Sequence, residues 1–399
     1  MTENAATPII QLLPGRDKRV RGGHPWIYSN ELKLTSQHKL MQNGQVLRVV
    51  TANNDDIGIG LFNPHHLIAV RIISRAKLNA NDADYWAQFW SGFFRAKINA
   101  ALNLRQRLFP LNFYRLCHAE ADGLPGIIMD RYDNVLVGQI NIVWPAQAIS
   151  ELIAAAQEIL NPVAMIWRDP ENHHLPIIGD ENALTQVTLY ENGARFQLDL
   201  RAGQKTGWFY DHSANRKFMA DLSAGRHVLD LFCYQGGFGI AGLVAGAVSA
   251  QLVDGSAAAL ALAEKAAVLN DVGDKCQTRR GDVFDVLEEY HTEKRKFDVV
   301  VADPPAFVKS RKDLAVGLKA YGKIFALAAG SVAKDGLLFA ASCSHNVSET
   351  DFLGCVRHGL TRAGRSGRII RAAGANFDHP IHPHLDESAY LKSLLLQLD

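Results

Sequence analysis

Three carboxylates stand where apolar, strand-like runs give way to turns. Asp230 lies within Val228-Leu229-Asp230-Leu231-Phe232, Asp254 closes Ala250-Gln251-Leu252-Val253, and Asp282 follows Arg280-Gly281. After the first run, Cys233-Tyr234-Gln235-Gly236-Gly237-Phe238-Gly239 supplies the glycines that a sharp turn and a closely approaching ligand require. Gly237, Gly239 and Gly242 satisfy GxGxxG, a dinucleotide signature that is weak standing alone. A carboxylate at Asp230 would repel a pyrophosphate but suits a cationic or amino-acid group. Asp254 is placed to take both ribose hydroxyls, and Asp282 to accept from an adenine amino group. With Phe232, Gly236, Gly237 and Ser256, these acids describe a pocket for an adenosine bearing an amino acid and a sulfonium, that is, S-adenosylmethionine. Each acid taken singly also reads as a helix N-cap.

A second polar segment precedes this one, Gly203-Gln204-Lys205-Thr206-Gly207-Trp208-Phe209-Tyr210-Asp211. Its Lys-Thr pair lacks the GxxxxGK[ST] order of a phosphate-binding loop, which argues against ATP. Lys205, Thr206 and Gly207 are expected at the methionine carboxylate, with Trp208 or Phe209 covering the cofactor. The plain alternative is a polar turn ahead of a helix bearing Asn215 and Arg216.

Two further strand ends address the methyl acceptor. Asp303-Pro304-Pro305-Ala306-Phe307 follows the apolar run 299–302. Its prolines lack backbone N–H groups and stiffen the loop, fixing Asp303 and nearby carbonyls toward a planar base. Such a loop serves methyl transfer to base amino groups and to ring carbons alike. Cys343, in Ser342-Cys343-Ser344-His345, follows the next run and faces the same edge. Carbon 5 of a pyrimidine is too weak a nucleophile to attack a methyl sulfonium unaided. A thiolate adding at carbon 6 makes it enolate-like, so covalent catalysis divides one hard step into easier ones. Asp303, protonated or hydrogen-bonded at the ring nitrogen, then stabilises the developing charge. The base that removes the carbon 5 proton stays open between Asp303, His345 and water. Cys233, ahead of the glycine turn, reads as a packing residue.

The elements that must position these groups change texture along the chain. Short β-type runs at 45–50, 57–62 and 67–73 predict a small all-β module over residues 1–75. Residues 82–109 carry Trp86, Trp90, Phe93, Phe94 and Ile98 at helical spacing. A mixture of strands and one helix follows to residue 190, with a hairpin expected over 187–200 around Glu191-Asn192-Gly193. From about residue 225 strands and helices alternate, which predicts a doubly wound α/β sheet with its ligand site at the carboxyl ends of the strands.

The 399 residues are 48% hydrophobic and 21% charged, an ordinary globular composition with a formal net charge of +1. The charge is uneven: residues 1–75 hold nine Lys/Arg and five acids. Arg16, Lys18, Arg19 and Arg21 beside Trp26 and Tyr28 offer phosphate contacts and stacking surfaces together; a solvated basic loop is the plain alternative. Five scattered cysteines with no CxxC pair argue against disulfides and zinc and fit a reducing cytoplasm. His379-Pro380-Ile381-His382-Pro383-His384 reads as an ordered turn rather than a metal site, so no metal is expected. No apolar run is long enough for a signal peptide or a membrane helix.

These residues together resemble the bacterial 23S ribosomal RNA large-subunit cytosine-5 methyltransferases with an N-terminal PUA domain. The resemblance spans essentially the whole chain. It rests on Leu13-Pro14-Gly15-Arg16-Asp17-Lys18-Arg19, Gly23-His24-Pro25-Trp26, Glu120-Ala121-Asp122-Gly123-Leu124-Pro125-Gly126, Gly203-Gln204-Lys205-Thr206-Gly207, Asp230-Leu231-Phe232, Asp303-Pro304-Pro305 and Ser342-Cys343-Ser344. It implies a multidomain chain: an all-β PUA barrel (1–75), a central α+β domain (76–190) and a Rossmann-like α/β methyltransferase domain (191–399). It also implies S-adenosylmethionine as donor, Cys343 as nucleophile, ribosomal RNA as partner and often a homodimer. The sequence departs at Asp211-His212-Ser213-Ala214-Asn215-Arg216, where relatives carry Asp-Gln-Arg before the Asn-Arg pair. The rival expectations are a guanine N2 or N7 methyltransferase, which would not need Cys343, a non-catalytic RNA-binding assembly factor, and an NAD-linked oxidoreductase.

Overall fold

The computed structural model describes residues 7–76, 83–171, 173–201 and 206–399. They fall into two units: Met1–Val187, Asp199–Trp208 and Asp378–Ser388 form the first, and Thr188–Leu198, Phe209–Phe377 and Ala389–Asp399 the second.

In the first unit, β1 (Ile9–Gln11), β2 (Trp26–Tyr28), β3 (Gln45–Val50), β4 (Asp56–Phe62) and β5 (Ile68–Ser74) form one sheet, ordered β1-β3-β4-β5-β2. Short helical turns α1 (Lys18–Arg21) and α2 (Ser36–Lys39) lie between strands. Ile10, Val20, Ile27, Leu47, Val49, Phe62 and Val70 fill the interior. The three longer strands fall on the runs expected from sequence. β1 and β2 have three residues each, too few for a period to register.

The helix expected over 82–109 is α3 (Ala83–Leu108); its proposed first residue lies outside the described residues. Trp90, Phe94, Ile98 and Ala101 make one buried stripe along it, at the spacing of an amphipathic helix. The stripe packs on a second sheet made of β6 (Phe113–His118), β7 (Ile127–Tyr132), β8 (Val135–Ile140), β9 (Ala164–Arg168) and β10 (Ile178–Gly179), together with α4 (Ala146–Leu160). Ile59, Leu61 and Ile73 of the first sheet join this same core.

Arg105 is fully buried on α3. Its guanidinium forks onto Asp122 at 2.6 and 2.7 Å and donates to the carbonyls of Arg115 (3.0 Å) and Asp378 (2.9 Å). A buried cation is tolerable when its donors all meet oxygen. Arg105→Ala leaves the Asp122 carboxylate without its counter-ion, held only by the His118 N–H, and should cost ~3–5 kcal/mol of stability. Denaturant unfolding reads this as a lowered midpoint with an unchanged slope; an unmoved midpoint would contradict it. The histidine-rich segment is ordered through the same centre: Asp378 accepts from the Arg115 N–H (2.8 Å) and pairs with His379 Nδ1 (2.8 Å).

The second unit opens with a hairpin, β11 (Val187–Glu191) and β12 (Ala194–Leu198), as the Asn192-Gly193 turn predicts. Its main sheet holds β13 (His227–Leu231), β14 (Ser249–Asp254), β15 (Cys276–Arg280), β16 (Phe297–Ala302), β17 (Val332–Ser342), β18 (Gly367–Ala373) and β19 (Lys392–Leu398), ordered β15-β14-β13-β16-β17-β19-β18. Helices α5 (Ser213–Asp221), α6 (Gly237–Val244), α7 (Ala257–Leu269), α8 (Val283–Thr292), α9 (Leu314–Ser331) and α10 (Glu349–Arg362) connect the strands. Leu229, Leu231, Val300, Leu338 and Leu396 meet Tyr321 and Phe325 in the core.

The expected parallel sheet is β13 to β17. It is extended by β19, antiparallel to β17, and by β18, antiparallel to β19; neither was anticipated. The run Leu394-Leu395-Leu396 is buried on both faces, so no alternation marks it as a strand. Among the described residues, no helix is long and apolar enough to cross a membrane.

Candidate active site

The strand register brings the candidate residues of the second unit to one edge. Asp230 sits opposite Leu252 and Val301, Asp254 opposite Arg280, and Ala302 opposite Ala340. Asp230, Asp254, Asp282, Asp303 and Cys343 therefore stand at the carboxyl ends of neighbouring parallel strands, where open α/β sheets bind ligands.

The glycine turn after β13 is backbone-strained. Phe232 (φ 56°) and Tyr234 (φ 50°) occupy the left-handed region, as does Gly236 (φ 75°). Such conformations in non-glycine residues mark sites that the surrounding structure holds in place. Gly239 is required by close approach: a Cβ there would lie 2.2 Å from Leu252 Cδ2. Its N–H donates to Asp230 Oδ2 at 2.9 Å. Burial pushes the Asp230 carboxyl up to about 7, against the Gly239 N–H, and the charges of Asp303 and Asp254 push the same way. It is a buried acid with no cation paired to it among the described residues.

The neighbouring acids are partly engaged. Asp254 accepts from the Tyr234 N–H (2.9 Å) and the Ser256 N–H (2.8 Å), so it clamps the turn while keeping lone pairs outward. Ser256 caps α7 through Ala259, and Asp282 caps α8 through Phe284 (2.8 Å). For Asp282 the N-cap reading is realised, which leaves it its second oxygen. The partly buried rings of Phe232, Phe284 and Phe307 lie beside them.

Asp303 has a partner that sequence reasoning missed. His212 is buried, and its Nε2 stands 3.3 Å from Asp303 Oδ2. On its other side, Nδ1 accepts from Asn215 Nδ2 (3.3 Å), whose carbonyl in turn accepts from Arg371 (3.0 Å). In the neutral ring the proton is thus on Nε2, aimed at Asp303. Burial opposes charge on this imidazole, but the Asp303 carboxylate outweighs it and holds the pKa above the ordinary histidine value. Behind it, Arg216 forks onto Glu191 of the hairpin and donates to the Phe209 carbonyl. His212 occupies the place where the resemblance expects glutamine, so the only sequence signal was a mismatch.

Cys343 is half-buried at the start of the loop after β17. That loop is tied to the Asp-Pro-Pro loop: Ser344 Oγ accepts from the Val308 N–H (3.3 Å), and Asn346 donates to the Lys309 carbonyl (3.3 Å). Tyr321 Oη lies 2.9 Å from Ser344 Oγ and is buried. Cys233, by contrast, is buried, and burial raises its thiol well above the usual value, as suits a packing residue.

Other expectations stand elsewhere. Lys205 lies outside the described residues. Thr206 and Gly207 belong to the first unit, where the Thr206 carbonyl accepts from Tyr132 Oη (2.9 Å); Trp208 is buried in that unit too. Phe209 is in the second unit, its ring 5.4 Å from that of Tyr234 in the glycine turn. The basic cluster near the N-terminus is only partly free. Arg19 pairs with Glu31 (2.5 Å) and covers the Tyr28 ring, and Arg21 bonds Asp17 and Asp55. The Trp26 indole donates to Glu120 (2.8 Å). Arg19, Arg21 and Trp26 thus serve internal contacts, because each found a carboxylate within reach. Arg16 and Lys18 are exposed.

Residues 10–75 match the model of a PUA-like domain, and residues 175–397 that of an S-adenosylmethionine-dependent methyltransferase. The chain is 33% identical to ribosomal RNA large subunit methyltransferase I of Aeromonas hydrophila, covering 97% of this chain and 98% of that protein. It is 32% identical to the ribosomal RNA large subunit methyltransferase of Deinococcus radiodurans, over 98% and 97%. Among solved structures it is similar to one described as a SAM-dependent methyltransferase from Streptococcus mutans (TM-score 0.83, 20% identity, 98% and 100% covered). It is also similar to a methyltransferase complexed with SAH (TM-score 0.84, 20% identity, 98% and 100% covered). At that identity the structural likeness speaks for the fold. With a PUA-like segment ahead of a methyltransferase sheet, and relatives matched from end to end, the chain belongs to the S-adenosylmethionine-dependent methyltransferases of the ribosomal RNA large subunit methyltransferase I family.

Proposed function

We propose that this enzyme methylates carbon 5 of a cytosine in 23S ribosomal RNA through a covalent bond to Cys343. The observation that carries the proposal is the pair of loops bearing Asp303 and Cys343, bonded to each other at adjacent strand ends. S-adenosylmethionine, when bound, supplies an electrophilic methyl group. The donor set fits it: a buried, cation-less carboxylate at Asp230, a second acid at Asp254 and aromatic rings beside Asp282. Asp230, Phe232, Gly236, Gly237, Asp254, Ser256 and Asp282 would line its site, whereas Lys205, Thr206 and Gly207 rest on the sequence resemblance alone.

In this reading Cys343 Sγ adds to carbon 6 of the cytosine, and the electron pair of the 5,6 double bond activates carbon 5. Asp303, oriented by His212 and carrying a proton on its other oxygen, donates to the ring nitrogen as negative charge develops there. Once carbon 5 is methylated, loss of its proton re-forms the double bond and expels the thiolate. The three-part division at 75 and 190, a cytoplasmic location and a homodimer belong to the same proposal. So does RNA contact through Arg16, Lys18, Arg19, Arg21 and Trp26, on free RNA or a partly assembled subunit.

Base-resolution mapping of methylated cytosines in large-subunit RNA from wild-type and deletion cells tests the substrate. One cytosine should lose its carbon 5 methyl group in the deletion. Loss of a guanine methyl group instead, or no change, would overturn the proposal.

The buried Asp230 makes a separate prediction. A cofactor ammonium favours the ionised carboxylate, so affinity should rise with pH and level off above about 7. At pH 6 binding should be ~10-fold weaker than on that plateau, with close to one proton released from Asp230 on binding. Calorimetry in buffers of differing ionisation enthalpy measures this. The slope should vanish in Asp230→Asn, and a flat wild-type profile would contradict the assignment.

A further inference from the structure

The second unit buries a lysine beside the proposed nucleophile. On β19, Lys392 lies directly opposite Ser342, the last residue of β17. Its side chain is buried, and Nζ donates to the carbonyls of Ser344 (3.0 Å) and Tyr390 (2.8 Å). The ammonium is therefore anchored across from the residue before Cys343 and bonded to the residue after it. Two carbonyls take two of its three hydrogens, which leaves one donor over. No carboxylate lies within ion-pair distance of Nζ among the described residues. A buried charge without a counter-ion is costly, so its persistence calls for an anion nearby.

We propose that Lys392 is a positioning residue that holds the Cys343 sulfur as a thiolate, poised for addition to the base and stabilised again when it leaves. The mutual electrostatics agree: burial lowers the Lys392 ammonium, while the Cys343 sulfur and, at longer range, Glu349 raise it. Tyr321 from α9 and Glu349 at the start of α10 also act on this pair, and the ring of His345, on the same loop, lies 5.1 Å from that of Tyr390, whose carbonyl accepts from Lys392. Burial raises the Tyr321 hydroxyl pKa and the Cys343 charge adds to it, so Tyr321 remains a neutral hydroxyl there. In the addition, the sulfur lone pair forms the S–C6 bond while the 5,6 π pair moves into the ring. In the departure the same pair returns to sulfur, and Lys392 meets the anion both times.

The inference rests on Cys343 being the nucleophile, yet its test does not need RNA. The rate of Cys343 alkylation by iodoacetamide, followed against pH by peptide mass spectrometry on the full chain, reads the thiol directly. The wild-type limb should lie below the free-thiol value of about 8.5. Lys392→Met should move it up by about one pH unit or more, slowing alkylation at pH 7 about tenfold, while Lys392→Arg restores most of the wild-type profile. Superimposable wild-type and Lys392→Met profiles would overturn the proposal. So would a wild-type limb at or above the free-thiol value, a result that needs no variant to fold. Full methylation by Cys343→Ala, in contrast, would defeat the nucleophile itself and leave the thiol titration standing.

Discussion

Cys343→Ala should lose methyl incorporation into ribosomal RNA by ~10⁴-fold or more, because a covalent route has no slower substitute of comparable rate. Cofactor affinity should be unchanged. Cys343 is on the loop after β17, whereas the acids proposed for the cofactor lie on β13 to β15 and the turns that follow. The split between lost turnover and retained binding separates two accounts. A guanine N2 or N7 enzyme would keep its rate, since an exocyclic amine or a ring nitrogen needs no sulfur adduct. A non-catalytic assembly factor would show no incorporation in the wild type either. Labelled-methyl transfer under single-turnover conditions, paired with cofactor calorimetry, distinguishes all three.

Asp303→Ala should be the second-largest loss, ~10²–10⁴-fold in single-turnover rate at saturating RNA and cofactor. The carboxylate is held on one side by His212 Nε2, which leaves its other oxygen for the base. His212→Gln keeps an N–H donor in that place and should retain most of the rate, whereas His212→Ala removes the donor and should fall between wild type and Asp303→Ala. A wild-type rate in Asp303→Ala would remove the aspartate from the chemistry. Equal, severe losses in His212→Gln and His212→Ala would instead show that the imidazole itself takes part.

The catalytic framework was legible because strand ends and glycine turns leave strong local signals. Asp230 lies near the end of an apolar run of strand length, and Asp254, Asp303 and Cys343 each close or follow one, so their shared edge could be inferred from topology alone. What stayed hidden depends on long-range register. Lys392 lies some fifty residues beyond Cys343 in sequence and reaches it only through an antiparallel strand whose leucines give no period. His212 meets Asp303 across a still longer separation. The internal partners of the N-terminal basic cluster were hidden for a related reason. Composition shows that Arg19, Arg21 and Trp26 sit together but not that Glu31, Asp17, Asp55 and Glu120 fold back onto them. Asp282 illustrates the opposite case, in which the humbler N-cap role was available from sequence and is the one the backbone uses.

The sulfur–carbon bond itself can be caught. Large-subunit ribosomal RNA transcribed with 5-fluorocytidine offers the enzyme a ring whose carbon 5 carries no removable proton, so an adduct at carbon 6 cannot collapse after methylation. Incubated with S-adenosylmethionine, the enzyme should form one stable protein–RNA adduct, and peptide mass spectrometry should find the nucleotide on Cys343, methylated and still fluorinated. Full methylation of ordinary RNA together with no adduct on the fluorinated RNA would show that the reaction never passes through Cys343.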